Sequence, residues 1–129
     1  MLARYQIIRG KRQAGRSLPK GIRKDTRKHQ RHCFSPEREI VEVYLRNPTS
    51  QAWYRFKTGY LKLIEKRFRS SRRSEFDKVA SLAMRQDYYI GCSCPTKKNP
   101  DVYKCHTVLA LRLMKDKYPI LKVTFPETN

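Results

Sequence analysis

The chain has 129 residues, 39% of them hydrophobic and 11% aromatic, enough to enclose one ordinary core within the usual size of a single domain. Its 30 Lys and Arg outweigh 11 Asp and Glu to give a formal net charge of +19, a balance that concerns partners and solubility rather than fold. No run approaches the roughly 18 apolar residues of a membrane span, and charge interrupts MLARYQIIRGKRQ before a secretory leader can develop. Four cysteines beside a sizeable core also argue against a disulfide framework. The expectation is one cytoplasmic domain over residues 1–129.

In chain order, residues 3–9 (ARYQIIR) have a β-prone centre of Tyr5, Ile7 and Ile8 and stop at Gly10, which predicts a strand. From Arg9 to Arg31 there are ten Lys or Arg and no apolar periodicity, so residues 10–33 read as a basic loop or arm. Ser35-Pro36-Glu37 offers an N-cap, a first-turn proline and an acid, and Ile40, Val41, Tyr44 and Leu45 then recur at helical spacing up to Asn47-Pro48. Thr49 or Ser50 can cap a second helix, whose stripe of Trp53, Phe56, Tyr60, Leu63 and Ile64 reads as core rather than as a base-stacking platform.

After RSSRRS, Phe76, Val79, Ala80 and Ala83 mark a third helix, and Tyr88, Tyr89 and Ile90 a short strand that stops at Gly91. The loop CSCPTKKNPD follows. Residues 102–117 predict a deep fourth helix, apolar on several sides, and Leu121, Val123 and Phe125 a last alternating strand. The order βαααβαβ contains a strand–helix–strand crossover, which predicts a small α/β domain: a short, mainly parallel sheet of about three strands flanked by helices. Ligands of such sheets lie outside the carboxyl ends of the strands, here Arg9-Gly10-Lys11 and Gly91-Cys92-Ser93-Cys94, close to where the fourth helix begins with Cys105-His106.

A net charge of this size seeks a polyanion, and nucleic acid fits best because Tyr, Phe and Arg lie among the Lys and supply stacking faces as well as charge. The candidate phosphate contacts are Arg9, Lys11, Arg12, Lys20, Arg23, Lys24, Arg27 and Lys28; a solvated charge run is the plainer reading of the same residues.

Three chemistries suit Cys92, Cys94, Cys105 and His106. Zinc favours thiolate and imidazole, and a Cys-x-Cys turn presents two sulfurs to one ion; against this, neighbours at a helix start point about 100° apart, so Cys105 and His106 share one ion awkwardly. A reactive thiol is the second, because Cys105 near a helix N-terminus and beside Lys104 has its thiolate favoured, with His106 as base or acid. Plain burial is the third, although it accounts for each residue singly and not for the cluster. Cys33, beside His32, is a possible further ligand or a half-buried residue at the entrance to the first helix.

The cluster is similar to the SWIM zinc finger, Cys-x-Cys followed by Cys-x-His, except that position 107 is Thr and the histidine comes one place early. Across most of its length the chain resembles the family called domain of unknown function 488. Pro19-Lys20-Gly21-Ile22-Arg23-Lys24 resembles that family's Pro-Arg-Gly-x-x-Lys element, with Lys20 in place of Arg. Cys33-Phe34-Ser35-Pro36-Glu37 is similar to its helix entry, and Trp53, Phe56 and Tyr60 to its Trp-x-x-Phe-x-x-x-Tyr helix. Tyr88 to Cys94, then Cys105-His106 and Val108-Leu109, are similar to its closing strand and last helix, with an extra lysine-rich loop between Cys94 and Cys105. The resemblance implies an α/β domain with a polar site formed by the Lys20–Lys24 and Cys-His elements, and no assigned activity.

Two functions follow as expectations. The first is a nucleic-acid-binding protein, of RNA or DNA, in which the Cys/His group is structural. The second is an enzyme acting on a nucleotide or other phosphorylated substrate, with Cys105 or His106 performing the chemistry; no Walker sequence, GxGxxG or Ser-His-Asp set names the reaction.

Overall fold

The protein is described here from a computed structural model, in which residues 1–8 and 17–127 are placed. Three strands and four helices follow in the order β1 (Leu2–Gln6), β2 (Ile22–Asp25), α1 (Arg38–Arg46), α2 (Ser50–Phe68), α3 (Arg73–Arg85), β3 (Tyr88–Cys92) and α4 (His106–Lys117). The result is a small α/β domain with a three-stranded parallel sheet in the order β1-β3-β2.

The apolar strand β3 takes the centre, where both its edges are paired. Leu2 stands opposite Tyr88 and Gln6 opposite Cys92 on one side, Ile22 opposite Tyr88 and Asp25 opposite Gly91 on the other. Because all three strands run the same way, their carboxyl ends converge, and Gln6, Asp25 and Cys92 open onto one rim.

The helices cover the sheet through apolar faces. Phe56, Tyr60, Ile64 and Phe68 of α2 are buried, with Trp53 stacked on Phe56 at 5.3 Å and Phe56 on Tyr60 at 6.0 Å, so the aromatic stripe is core. The Thr49 side chain accepts from the Ala52 N–H at 3.1 Å and so caps this helix. Along α4, His106 to Leu111, Leu113 and Met114 are all buried, which suits a helix wedged between sheet and α2. Phe34, Leu2, Phe76 and Ile90 complete the centre of the core.

Several expectations are corrected. The supposed arm contains β2, an edge strand that hydrogen bonds to β3 although only Ile22 of its four residues is apolar. The closing strand reduces to one parallel bridge from Leu2 to Val123, held by Leu2 N–H to Lys122 O and Thr124 N–H to Leu2 O, each 2.8 Å. Leu121 still reaches the core. The first helix begins at Arg38 with Glu37 as its cap, so Ser35 lies ahead of it and its hydroxyl caps nothing. The last helix begins at His106 rather than at residue 102, which makes Cys105 its N-cap residue.

Candidate metal centre

At the rim of strand ends, Cys92 closes β3, Cys94 lies two residues on, and Cys105 returns the chain to the same place at the start of α4. The three sulfurs lie within 4.8 Å of one another, the one such group among the described residues. Ligands on two corners of a zinc tetrahedron, each with a sulfur about 2.3 Å from the ion, are about 3.8 Å apart, so the trio is close to a coordinating geometry. Soft thiolates favour zinc, copper(I) or iron–sulfur chemistry over magnesium or calcium.

Side chains of the second rank orient the sulfurs. Arg4 Nε donates to Thr107 Oγ1 at 2.9 Å, and Thr107 Oγ1 donates in turn to Cys105 Sγ at 3.1 Å, relaying the guanidinium's polarisation to the sulfur. The same guanidinium donates through Nη2 to the Cys94 carbonyl at 2.6 Å. The buried Asn99 donates from Nδ2 to Cys94 Sγ at 3.4 Å and to Lys104 O at 2.7 Å, and accepts from Tyr44 Oη at 3.1 Å. The loop between the cysteines is therefore pinned at both ends.

Proton sharing among the thiols is uneven. Hydrogen bonds from Cys92 and Cys94 hold Cys105 below the ordinary thiol range despite its burial. Hydrogen bonding to Cys105 pushes Cys94 up to about 11, and the hydrogen bonds to Cys105 and Cys94 together with burial raise Cys92. At Cys105, the cap residue of α4, the bond from Thr107 Oγ1 and the positive end of the helix dipole both favour the thiolate.

His106 turns elsewhere. Its Nε2 is 3.0 Å from the fully buried Thr26 Oγ1, whose own proton goes to Gly91 O at 3.0 Å. Thr26 can therefore only accept from the imidazole, which places the ring proton on Nε2 and leaves Nδ1 bare, 3.9 Å from Cys105 Sγ. His106 thus stands beside the sulfur group and not within it: Cys105 is the extended cap residue ahead of α4, whereas His106 opens the helix and its ring turns to Thr26. Cys33 is also apart: it is buried, and burial pushes it up to about 12.

A cavity of about 300 Å³ opens over the sulfurs, walled by Tyr44, Trp53, Phe56, Arg27, Lys28 and Lys104 among others. Of the candidate phosphate residues, Arg27 and Lys28 reach it, but Arg27 is committed to Asp25 at 2.7 Å and Lys28 to Glu42 at 3.3 Å. Lys20, Arg23 and Lys24 are exposed and outside it, with Arg23 Nη1 donating to Pro19 O at 2.9 Å. Arg9, Lys11 and Arg12 fall outside the described residues. A broader groove of about 960 Å³ runs between α2 and α4, and Lys57, Lys62, Lys66 and Arg112 line it without a carboxylate partner among the described ion pairs.

Arg4, Thr26, Asn99 and Thr107 escaped the sequence reading. Only Asn99, a turn-former between the cysteines, and Thr107, beside the Cys-His pair, carried a signal there; Arg4 and Thr26 are brought in by the sheet register. No described helix is long and apolar enough to cross a membrane. Comparison of the chain with family models, with curated proteins and with solved structures finds no match.

Proposed function

We propose that the chain binds nucleic acid, RNA or DNA, on a basic surface whose strand-end rim is stapled by one zinc ion on Cys92, Cys94 and Cys105. The metal half of this reading rests on the approach of those three sulfurs to within 4.8 Å from two separate chain segments, and the nucleic-acid half on the net charge of +19. Three thiolates on a divalent cation leave one net negative charge, which Arg4 offsets through Thr107 and through the Cys94 carbonyl. The 300 Å³ cavity, lined by the same three cysteines, would leave room for a water or a group of the partner beside an ion held there. The phosphate-contacting cations in this reading are Lys20, Lys24, Lys57, Lys62 and Lys66, which no described carboxylate neutralises.

Two measurements test it. Elemental analysis of the purified protein is expected to give one zinc per chain. Filter binding to random duplex and single strands across a salt series is expected to give a steep linear fall of log affinity with log salt, and Lys24→Gln or Lys62→Gln to reduce the slope by about one each. Affinity that does not respond to salt removes the nucleic-acid reading whatever the zinc content.

One observation favours a second reading, a thiol-dependent enzyme on a phosphorylated substrate: Cys105 is the thiol whose anion is most favoured, and the bare Nδ1 of His106 lies beside it. Thiol titration of metal-stripped protein separates the two. An enzyme requires Cys105 to label fastest and a phosphorylated substrate to block the label, whereas a zinc staple requires that zinc alone protects all three cysteines together.

A further inference from the structure

Away from the sulfurs, the approach to α1 forms a depression of about 770 Å³ in which Ser35, Arg31, Arg38, Arg67 and Arg72 line the wall. Two of these residues are left with unmet needs. Ser35 is 4% exposed, and its Oγ is the one buried side-chain polar atom among the described residues with no hydrogen-bond partner. Buried polar groups in folded proteins are nearly always paired, so an orphan hydroxyl calls for an explanation.

Arg67 is the second. Its Nη1 donates to Cys33 O at 2.9 Å and to Ser35 O at 2.6 Å, which fixes the guanidinium plane, while Nε and Nη2 have no partner among the described residues. No described carboxylate lies within 4.0 Å of it. Burial and the like charge of Arg72 pull its pKa below the ordinary guanidinium value. A partly desolvated cation without a counter-ion is costly, and an arriving anion removes that cost. The carboxylates nearby do not pair with it: Glu75 is held by Arg72 at 2.6 and 3.1 Å, Glu37 is exposed at the rim and acts on Arg67 only through space, and Glu39 is exposed there too.

We propose that this depression is a binding site for a phosphate monoester, with the free Nε–Nη2 edge of Arg67 taking two phosphate oxygens, Ser35 Oγ a third, and Arg31 and Arg38 closing over it from the rim. A guanidinium fork matches two oxygens of a tetrahedral oxyanion, and a dianion suits the further cations better than a single carboxylate does. The depression is wider than a phosphate group and has room for the rest of a larger molecule, a mononucleotide or the terminal phosphate of a strand. The site shares only Lys28 and Pro36 with the cavity over the sulfurs and does not depend on metal.

The test is thermal unfolding of the full chain in increasing inorganic phosphate, with ionic strength held constant by chloride. A saturable rise in Tm is expected. Ser35→Ala removes an unpaired buried hydroxyl, so it is expected to keep or raise the Tm of the free protein while weakening phosphate binding about tenfold. Arg67→Met is expected to abolish the saturable rise. Where it fails to fold, Arg67→Lys keeps the charge but loses the fork, and is expected to weaken binding at least tenfold. A shift that chloride reproduces, or a phosphate affinity unchanged in both Ser35→Ala and Arg67→Lys, overturns the site. Competition by a nucleoside 5′-monophosphate, and by 5′-phosphorylated against 5′-hydroxyl oligonucleotides, then tells a free nucleotide from a strand end; either supports the site, and failure of both beside phosphate alone overturns the larger ligand.

Discussion

Thr26 and His106, eighty residues apart in the chain, meet through a 3.0 Å hydrogen bond in the interior, and a second bond from Thr26 Oγ1 to Gly91 O fixes which of them donates. One hydroxyl therefore ties the end of β2, the end of β3 and the first residue of α4 together. Thr26→Val keeps the shape and removes the acceptor, leaving the His106 N–H unpaired. The expected cost is about 1 to 3 kcal/mol in urea unfolding, because Gly91 O keeps its bond from the Thr26 N–H while the imidazole keeps nothing. A larger effect on metal affinity than on stability would show that the ring also orients Cys105.

The four cysteines are expected to divide three to one. Cys105→Ala abolishes stoichiometric metal binding and lowers Tm in zinc, whereas Cys33→Ala retains the metal because its sulfur lies outside the group. Chelation of the wild type is expected to lower Tm by a margin that grows with the zinc previously added, as binding to the folded state alone requires. Equal metal content in both variants would contradict the placement of the site.

Stability is expected to fall as pH drops from about 6.5 to about 4, owing to His32. Its Nδ1 accepts from the Phe34 N–H at 3.1 Å, so Nε2 carries the proton and donates to Tyr88 Oη at 3.2 Å. Protonation would set two donors against each other. Burial, with Lys24, Arg72 and His106 adding to it and Glu75 opposing, lowers its pKa to about 4. The unfolded chain binds the proton from about pH 6.5 downward and the native state only near 4, so the unfolded form gains throughout that window, on the order of 2 to 3 kcal/mol in total. His32→Asn, which keeps an acceptor near Nδ1, is expected to flatten the profile between about pH 6.5 and 5.5, above the range in which the carboxylates titrate.

Gly21 sits at φ +138°, and a Cβ there would lie 2.5 Å from the carbonyl oxygen of Asp87. Both the backbone angle and the contact exclude a side chain, since the obstacle is main chain that also accepts the Ile22 N–H at 3.0 Å. Gly21→Ala is expected to cost about 1 to 3 kcal/mol and to loosen β2 first, seen as faster amide exchange at Ile22 and Lys24.

The helices were legible because α1, α2 and α3 each carry an apolar stripe at helical spacing, α4 is apolar on several sides, and α2 also carries its Thr49 cap. β2 was not, because Arg23-Lys24-Asp25 has no alternating apolar face and is held by backbone pairing with β3. The alternation of Leu121, Val123 and Phe125 reports burial, yet only Val123 finds a pairing partner, since that segment passes the edge of β1 at a single residue. At the site, the clustering of Cys92, Cys94 and Cys105 could be read from spacing and from the convergence of parallel strand ends. The role of Arg4 could not, because it depends on the register that sets β1 beside β3.

The strand order carries one consequence for assembly. β1 and β2 are not paired with each other; within the sheet each pairs with β3, which is made after three intervening helices. A chain still emerging from the ribosome therefore has no sheet at all until Tyr88–Cys92 appears, and then gains both halves together. Such non-local closure makes for slow, all-or-none folding. Cys105, the last of the three clustered thiols, lies further along the chain still, so the sulfur group also cannot be complete until the segment after β3 has been made.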